Sequence, residues 1–362
     1  MAVPDTQLRI PFTTLLKIAL FALMVAILVR TTSVLVMLLV ASLLAVMLAP
    51  FESWLEERGV RRGLAMTLLA FLVFGIVAAF VILVVPRTLT ETQQVSRHVP
   101  ALSERVSREV PFLAPYAQAL AAELQRPPTA QQAKRSVAQG LKIGGYAAAA
   151  LINVAFVLVL TLYLVVDGKR LAAWLISFAP RAQRKKIAMT ADEVRPVIFA
   201  YMRGQLITST LAASVALAVL LPLHVPAALP LAVLAFFGDF IPVIGTIAAV
   251  TPAVLLALVV GPTQALIVAA VYVAYHLIES YIIIPRVYGR QMRLSTLTVL
   301  LSVFIGWSLL GPLGSVLILP VVAAYPPIEH IWLRDRLAPD TIEKHDAIED
   351  GDEEEVDKVL RP

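Results

Sequence analysis

Apolar runs of membrane-crossing length alternate with short polar joints along most of this chain. Residues 10–29 and 31–49 predict two spans meeting at Arg30, and 63–85 predicts a third, closed by Pro86. Residues 143–166, 205–221 and 264–284 predict three more. Each is close to the ~20 apolar residues that a helix needs to cross about 30 Å of hydrocarbon. Between the third and fourth spans, residues 87–142 are mostly polar, with apolar positions at helical spacing in 95–110 and 116–124. Pro100, Pro111, Pro115, Pro127 and Pro128 cut this stretch, which predicts a small helical extramembrane region. A basic linker, residues 167–196, follows the fourth span with Lys169, Arg170, Arg181, Arg184, Lys185 and Lys186.

Two further apolar runs are interrupted. Residues 227–260 contain Phe237-Gly-Asp-Phe-Ile-Pro-Val-Ile-Gly245, and residues 294–325 contain Gly311-Pro-Leu-Gly314. Proline and glycine free backbone groups that lipid cannot satisfy, so such a break survives only inside protein or beside a wet cavity. Breaking the first run at Pro242–Gly245 leaves arms of about fifteen residues, roughly 22 Å at 1.5 Å per residue, which is short of the core. Re-entrant hairpins entering from opposite sides are therefore expected. They also place Arg286, Arg290 and Arg293 on the same side as Arg58, Arg61, Arg62 and the basic linker, the cytoplasmic side by the charge rule. The expected class is an all-α polytopic membrane protein with about six full spans plus two broken hairpins, and with both termini cytoplasmic. Its predicted parts are N-terminal transmembrane helices (1–86), an extracytoplasmic helical region (87–142), a fourth span with its basic cytoplasmic linker (143–203), a transport core (204–326) and an acidic cytoplasmic tail (327–362).

Composition narrows the chemistry. The 362 residues are 59% hydrophobic and 15% charged, with a mean hydropathy of +0.83. No cysteine is present, which removes disulfides, thiolate catalysis and Cys-ligated metal. The net charge of +5 sits in short loops beside spans, where it sets orientation rather than binding nucleic acid. The first run lacks a small-residue cleavage site and reads as a retained helix. No Gly-x-x-x-x-Gly-Lys-Ser/Thr loop occurs, so an ion gradient or downhill flow is the expected drive, with no cofactor and no resident metal. The tail, with Asp350, Asp352, Glu353, Glu354, Glu355 and Asp357, reads as disordered.

The last third resembles the autoinducer-2 exporter family, the PerM-like permeases. The resemblance rests on Tyr201-Met-Arg-Gly-Gln205, Phe240-Ile-Pro-Val-Ile-Gly245 with Pro252, Glu279 with Ile284-Pro-Arg-Val-Tyr-Gly-Arg290, and Ile305-Gly-Trp-Ser-Leu-Leu-Gly-Pro-Leu-Gly314 with Pro320. Where the family usually carries His-Pro after the basic loop, this chain reads Leu294-Ser-Thr-Leu297. The resemblance implies a transporter of the bacterial inner membrane working as a homo-oligomer, with a five-membered ring as one arrangement. It also implies a small polar solute such as autoinducer-2 as cargo, or sodium–proton exchange.

Candidate pathway residues follow from their cost in lipid. Asp239 beside the first break is the leading one, as a proton- or cation-binding carboxylate; an N-cap or hairpin-end role is its structural alternative. Tyr272, His276 and Glu279 share one helix face at i, i+4 and i+7, a polar stripe whose alternative is pairing of Glu279 with Arg286 or Arg290. Gln205 lies between Tyr201 and Thr208 at the same spacing, where interhelical packing competes with solute contact. Pro242, Gly245, Gly311 and Gly314 mark the two breaks, whose tips are expected to meet near mid-membrane and allow alternating access. A Gly238-Asp239 aspartyl-protease reading with Asp167 as partner is the enzyme alternative, and an ion channel or a scaffold are the others.

Overall fold

The computed structural model describes residues 12–91, 104, 107, 108, 130–288 and 296–333. Among them all regular structure is helical, and six helices are long and apolar enough to cross a membrane. This is an all-α polytopic membrane protein. The stretch 92–103, most of 105–129, Arg290, Arg293 and the acidic tail lie outside the described residues.

Helix α1 (Phe12–Arg30) meets α2 (Thr32–Glu57) at Thr31, one residue beyond the predicted joint at Arg30. The elbow between α2 and α3 (Arg62–Ala79) is built by charge. Arg62 pairs through Nε with Glu52 at 3.3 Å and donates Nη2–H to the Val166 carbonyl at 2.6 Å. One basic residue thus joins three helices as well as marking a loop.

The third span does not stop at Pro86. A π-helical turn, Phe80–Val84, carries the helix on to Glu91. Proline lacks an N–H and clashes with the carbonyl four residues back, and a wider turn ahead of it relieves that clash. The Val85 N–H bonds to the Phe80 carbonyl across the bulge.

The expected basic linker is also helical. Helix α4 (Ala130–Ser177) overruns the predicted fourth span at both ends. After a short turn at Phe178–Pro180, α5 (Arg181–Leu220) runs 40 residues, containing the predicted fifth span in its second half. Arg184 closes the turn by donating to the Ser177 and Ala179 carbonyls at 2.6 and 3.0 Å. A run of basic side chains here is good helix material that also caps the neighbouring helix end.

Both interrupted runs fold as helical hairpins. Helix α6 (Ala228–Gly238) and α7 (Ile244–Val260) flank a break at Asp239–Val243, so Gly245 lies inside α7 rather than in the break. The two arms touch backbone to backbone at Gly238 and Gly245. A Cβ on Gly238 would sit 2.9 Å from the Gly245 carbonyl oxygen, and one on Gly245 would overlap the Gly238 carbonyl. Ala228, Ala232, Ala235, Ala249, Ala253 and Ala257 continue this seam, and small side chains let helices approach closely without a hydrophobic drive from lipid.

The chain then turns at Gly261 into α8 (Pro262–Ile278), with Pro262 at the first helical position. A second π-turn, Glu279–Ile283, precedes Pro285 as the first precedes Pro86, and α9 (Ile284–Tyr288) continues the rod.

The second hairpin, α10 (Thr296–Leu310) and α11 (Pro312–Ala323), turns at the single residue Gly311, φ 63°. Gly306 and Gly314 touch across it, and Ser315 donates its hydroxyl to the Val303 carbonyl at 3.1 Å. Helix α12 (Tyr325–Trp332) returns to α5, where the Trp332 indole donates to the Thr190 hydroxyl at 2.9 Å.

The breaks do not meet tip to tip. Ile241 of the first packs on a small cluster of Tyr201, Val303 and Leu319, along the arms of the second hairpin. Leu313 at the second tip is exposed. The Ser315–Val303 bond fixes the register of α11 on α10, and that register puts Gly311 well beyond this cluster.

Gly314→Leu and Gly245→Leu should each destabilise the fold by roughly 1–3 kcal/mol or more through overpacking. Gly75→Leu, where no described residue lies within 4 Å, is the control expected to be near neutral. Thermal melts of the three variants in detergent decide this, and equal melting temperatures would refute the hairpin seams.

Candidate functional site

Helix α6 ends where Gly238 hands over to Asp239, and the next residues turn the chain sharply. Val243 sits at φ 66° and ψ −58° with Ile244 N–H bonded to the Pro242 carbonyl at 2.7 Å, a γ-turn of the rare, strained kind. A β-branched residue with positive φ is an outlier that the surroundings must hold in place. The Pro242 carbonyl accepts the hydrogen bond that closes this turn.

The turn directs Asp239 onto α5. Its Oδ2 accepts three hydrogen bonds from one face of that helix: from Gln205 Nε2 at 3.0 Å, Thr208 Oγ1 at 2.9 Å and Ser209 Oγ at 2.8 Å. Gln205 also donates to the Asp239 backbone carbonyl at 3.0 Å, and the Tyr201 hydroxyl reaches Gln205 Oε1 at 3.5 Å. Gln205, Thr208 and Ser209 are all buried. Spacing alone marks Gln205 and Thr208 as packing groups, with solute contact as the rival. Their packing partner turns out to be the leading carboxylate itself. Ser209, one turn after Gln205, completes the set and was not singled out in the sequence.

Helix α8 supplies the opposite wall. Glu279 is 6% exposed. Its Oε1 accepts from the Tyr275 hydroxyl at 3.0 Å, and His276 Nδ1 lies 3.8 Å from its Oε2. The Tyr275 hydroxyl also stands 3.2 Å from the Thr208 carbonyl, linking α8 to α5. The Tyr272 hydroxyl is buried with no hydrogen-bond partner among the described residues, an arrangement that costs ~1–3 kcal/mol unless water or a solute fills it.

Asp239, Gly245, Tyr272, Tyr275, His276 and Glu279 line one cavity of about 30 Å³, closed by Ala212, Ala235, Thr246, Ala249 and Val250. The predicted stripe on α8 and the predicted break on the first hairpin therefore converge. Tyr275 stands just off the 272–276–279 stripe, yet it lies four residues before Glu279, the i to i+4 spacing at which such a pair meets.

Other expectations separate from the site. Gly311 and Gly314 belong to the second hairpin and do not line the cavity; Gly314 serves helix contact. Arg286 is exposed on α9 and is not the partner of Glu279. Asp167 pairs with Arg170 at 3.9 Å on an exposed surface, away from Asp239, so the two do not form a carboxylate dyad. No cluster of three metal-ligating side chains occurs among the described residues.

Comparison with known proteins gives this arrangement a context. The chain is 28% identical over 307 residues to a candidate transport protein of Mycobacterium tuberculosis, MT0215, covering 81% of each chain. It is 27% identical over 330 residues to the candidate transport protein YhhT of Escherichia coli, covering 88% of this chain and 89% of that one. It is also 43% identical over 109 residues to the AI-2 transport protein TqsA of Escherichia coli, covering 30% of this chain and 31% of TqsA. The pattern described as AI-2E family transporter matches residues 16–331, nearly the whole chain, and the protein belongs to that family.

Proposed function

We propose that this membrane transport protein is a secondary transporter whose pathway passes between α5, the first hairpin and α8, with Asp239 and Glu279 as its charged groups. The observation that carries this reading is two carboxylates sharing one small cavity among otherwise apolar helices. Ionisable groups at such positions are expensive, and they usually mark a solute or ion route. Like charges this close repel, so a proton or a cation between them relieves the arrangement. The proposed cargo is a small polar metabolite, and the partial likeness to TqsA makes autoinducer-2 the first to try. The proposed setting is the bacterial inner membrane, with cytoplasmic termini, surrounding lipid, two re-entrant hairpins and a homo-oligomer, a pentamer among the arrangements. The apolar, outward faces of α1 and α3 suit either lipid or a second copy.

Cavity size favours a second reading for the conformation seen here. About 30 Å³ holds one or two waters or a small cation, and not an organic solute. Sodium–proton exchange through the same carboxylates, or an ion channel, is the corresponding alternative.

Purified protein in liposomes separates these. Saturable uptake of autoinducer-2 supports the first reading, collapse of a preset pH gradient on adding sodium supports exchange, and unitary currents identify a channel. In the supported assay, Asp239→Asn and Glu279→Gln should each lower flux by about 10–100-fold, the scale of a lost charge-assisted hydrogen bond. Parental flux in both variants would remove Asp239 and Glu279 from the pathway. Thr208→Val and Ser209→Ala each take one donor from Asp239 and should cost about three- to tenfold. A null effect in both would mean that the α5 donors do not tune the carboxylate.

A further inference from the structure

The hydrogen-bond inventory around Tyr275 does not balance with one fixed proton. Its hydroxyl faces two acceptors, Glu279 Oε1 at 3.0 Å and the Thr208 backbone carbonyl at 3.2 Å. A phenol carries one proton, so it serves one acceptor at a time. Which acceptor it serves depends on Glu279. An ionised Glu279 is acceptor-only and takes the phenol proton. A protonated Glu279 becomes a donor, can give its own O–H to the phenol oxygen, and frees the phenol proton for the Thr208 carbonyl.

We propose that Tyr275 is a positioning residue that converts the protonation state of Glu279 into the making or breaking of a hydrogen bond between α8 and α5. With the proton on Glu279, Tyr275 ties α8 to Thr208. With Glu279 charged, that tie is released. The proton that binds at Glu279 stays on the pair, and no other group is consumed or formed.

The tie matters because of where it lands. Thr208 donates its own hydroxyl to Asp239 Oδ2, and its neighbours Gln205 and Ser209 donate to the same oxygen. A shift of α8 against this turn of α5 therefore reaches the carboxylate on the hairpin. The groups facing Glu279 are His276, Tyr275 and Tyr272 on its own helix and Asp239 on the first hairpin. The α5 and α7 residues that face the site, Ala212, Gln205, Thr208, Ser209, Thr246, Ala249 and Val250, carry no ionisable side chain. Asp239 on the first hairpin and His276 on the same helix are thus the ionisable groups that compete with Glu279 as the source of a pH response.

This coupling rests on the transport reading of the same site, and its test is chosen to be independent of flux. The chain has no cysteine, so one introduced at Thr246, on the cavity wall, can be labelled by a thiol reagent against a clean background. Labelling rates are compared at matched thiolate concentration over the pH range. In the otherwise native protein, the Thr246→Cys rate should change severalfold with pH. Adding Glu279→Gln should fix it at the low-pH value, since the amide mimics the neutral acid. Adding Tyr275→Phe, which keeps the ring, should abolish the pH response although Glu279 remains. Adding His276→Gln should leave the response in place.

A Tyr275→Phe protein that keeps the native pH response overturns the proposal, as does a response that disappears only with His276. A rate indifferent to pH in the starting protein also overturns it. Melting temperatures within a few degrees of the parent confirm that the variants are folded. If the labelling pattern holds while Asp239→Asn and Glu279→Gln carry parental flux, the transport reading fails and the helix coupling stands.

Discussion

The convergence of three α5 donors on one oxygen of Asp239 is the interaction on which the rest of the site depends. A carboxylate among apolar helices has to be matched by polar groups that are themselves buried. Here the match comes from one helical turn, where Gln205 with Ser209, and Thr208 beside them, share a face. Asp239 can reach that face only because α6 stops beforehand. The stop in turn requires the arms of the hairpin to touch at Gly238 and Gly245, where any side chain would force them apart. Close contact, chain reversal and carboxylate placement are thus one construction. The strained γ-turn at Val243 is closed by backbone hydrogen bonds, from Ile244 N–H to the Pro242 carbonyl and from Gly245 N–H to the Ile241 carbonyl, while the Val243 side chain is exposed.

A second device appears twice. In both long rods a π-turn ends two residues before a proline, at Phe80–Val84 before Pro86 and at Glu279–Ile283 before Pro285. The bulge absorbs the carbonyl that the ring would strike, so the helix continues instead of ending. In α8 the bulge opens on Glu279 itself. A side chain at that point leaves the regular 100° progression of the helix, and Glu279 is turned inward while Tyr281 nearby is exposed. In α3 the bulge brings Phe80 edge-on to Phe237 at 6.2 Å, just ahead of Asp239. Farther along the same rod, Glu91 accepts a hydrogen bond from the Leu229 N–H at 3.2 Å, at the start of α6. The first hairpin arm is therefore gripped at both ends by one helix.

Hydropathy made the class and most spans legible, because lipid punishes unpaired polar groups regardless of sequence detail. The two interrupted runs, and Asp239 and Glu279 as polar groups needing shelter from lipid, were legible for the same reason. Helix ends were not. Pro86 reads as a stop, and nothing in a hydropathy pattern announces the π-turn that carries the helix past it. The 167–196 segment reads as a linker because its charges leave the membrane, yet charge and helicity are compatible, and Arg184 caps the turn within it. The pairing of α5 with the break depends on long-range register, which no local spacing encodes. So Gln205 and Thr208 read as generic glue, and Ser209 and Tyr275 went unmarked.

Packing also indicates where this assembly separates most easily. One continuous apolar cluster joins the end of α5, both arms of the first hairpin and the start of α8, from Ala216 through Ala253 to Val268. The second hairpin touches that block through the much smaller cluster of Tyr201, Val303 and Leu319. Between helices in lipid, association rests on packing contacts and interhelical hydrogen bonds, so the smaller seam costs less to open. Ile241 packs into that seam, two residues after Asp239 and one before Pro242. A displacement of the second hairpin would therefore be felt first at the strained turn that holds the carboxylate, while the Gly238–Gly245 contact keeps the first hairpin intact. A cavity too small for an organic solute in this conformation has its least costly route to enlargement along that line.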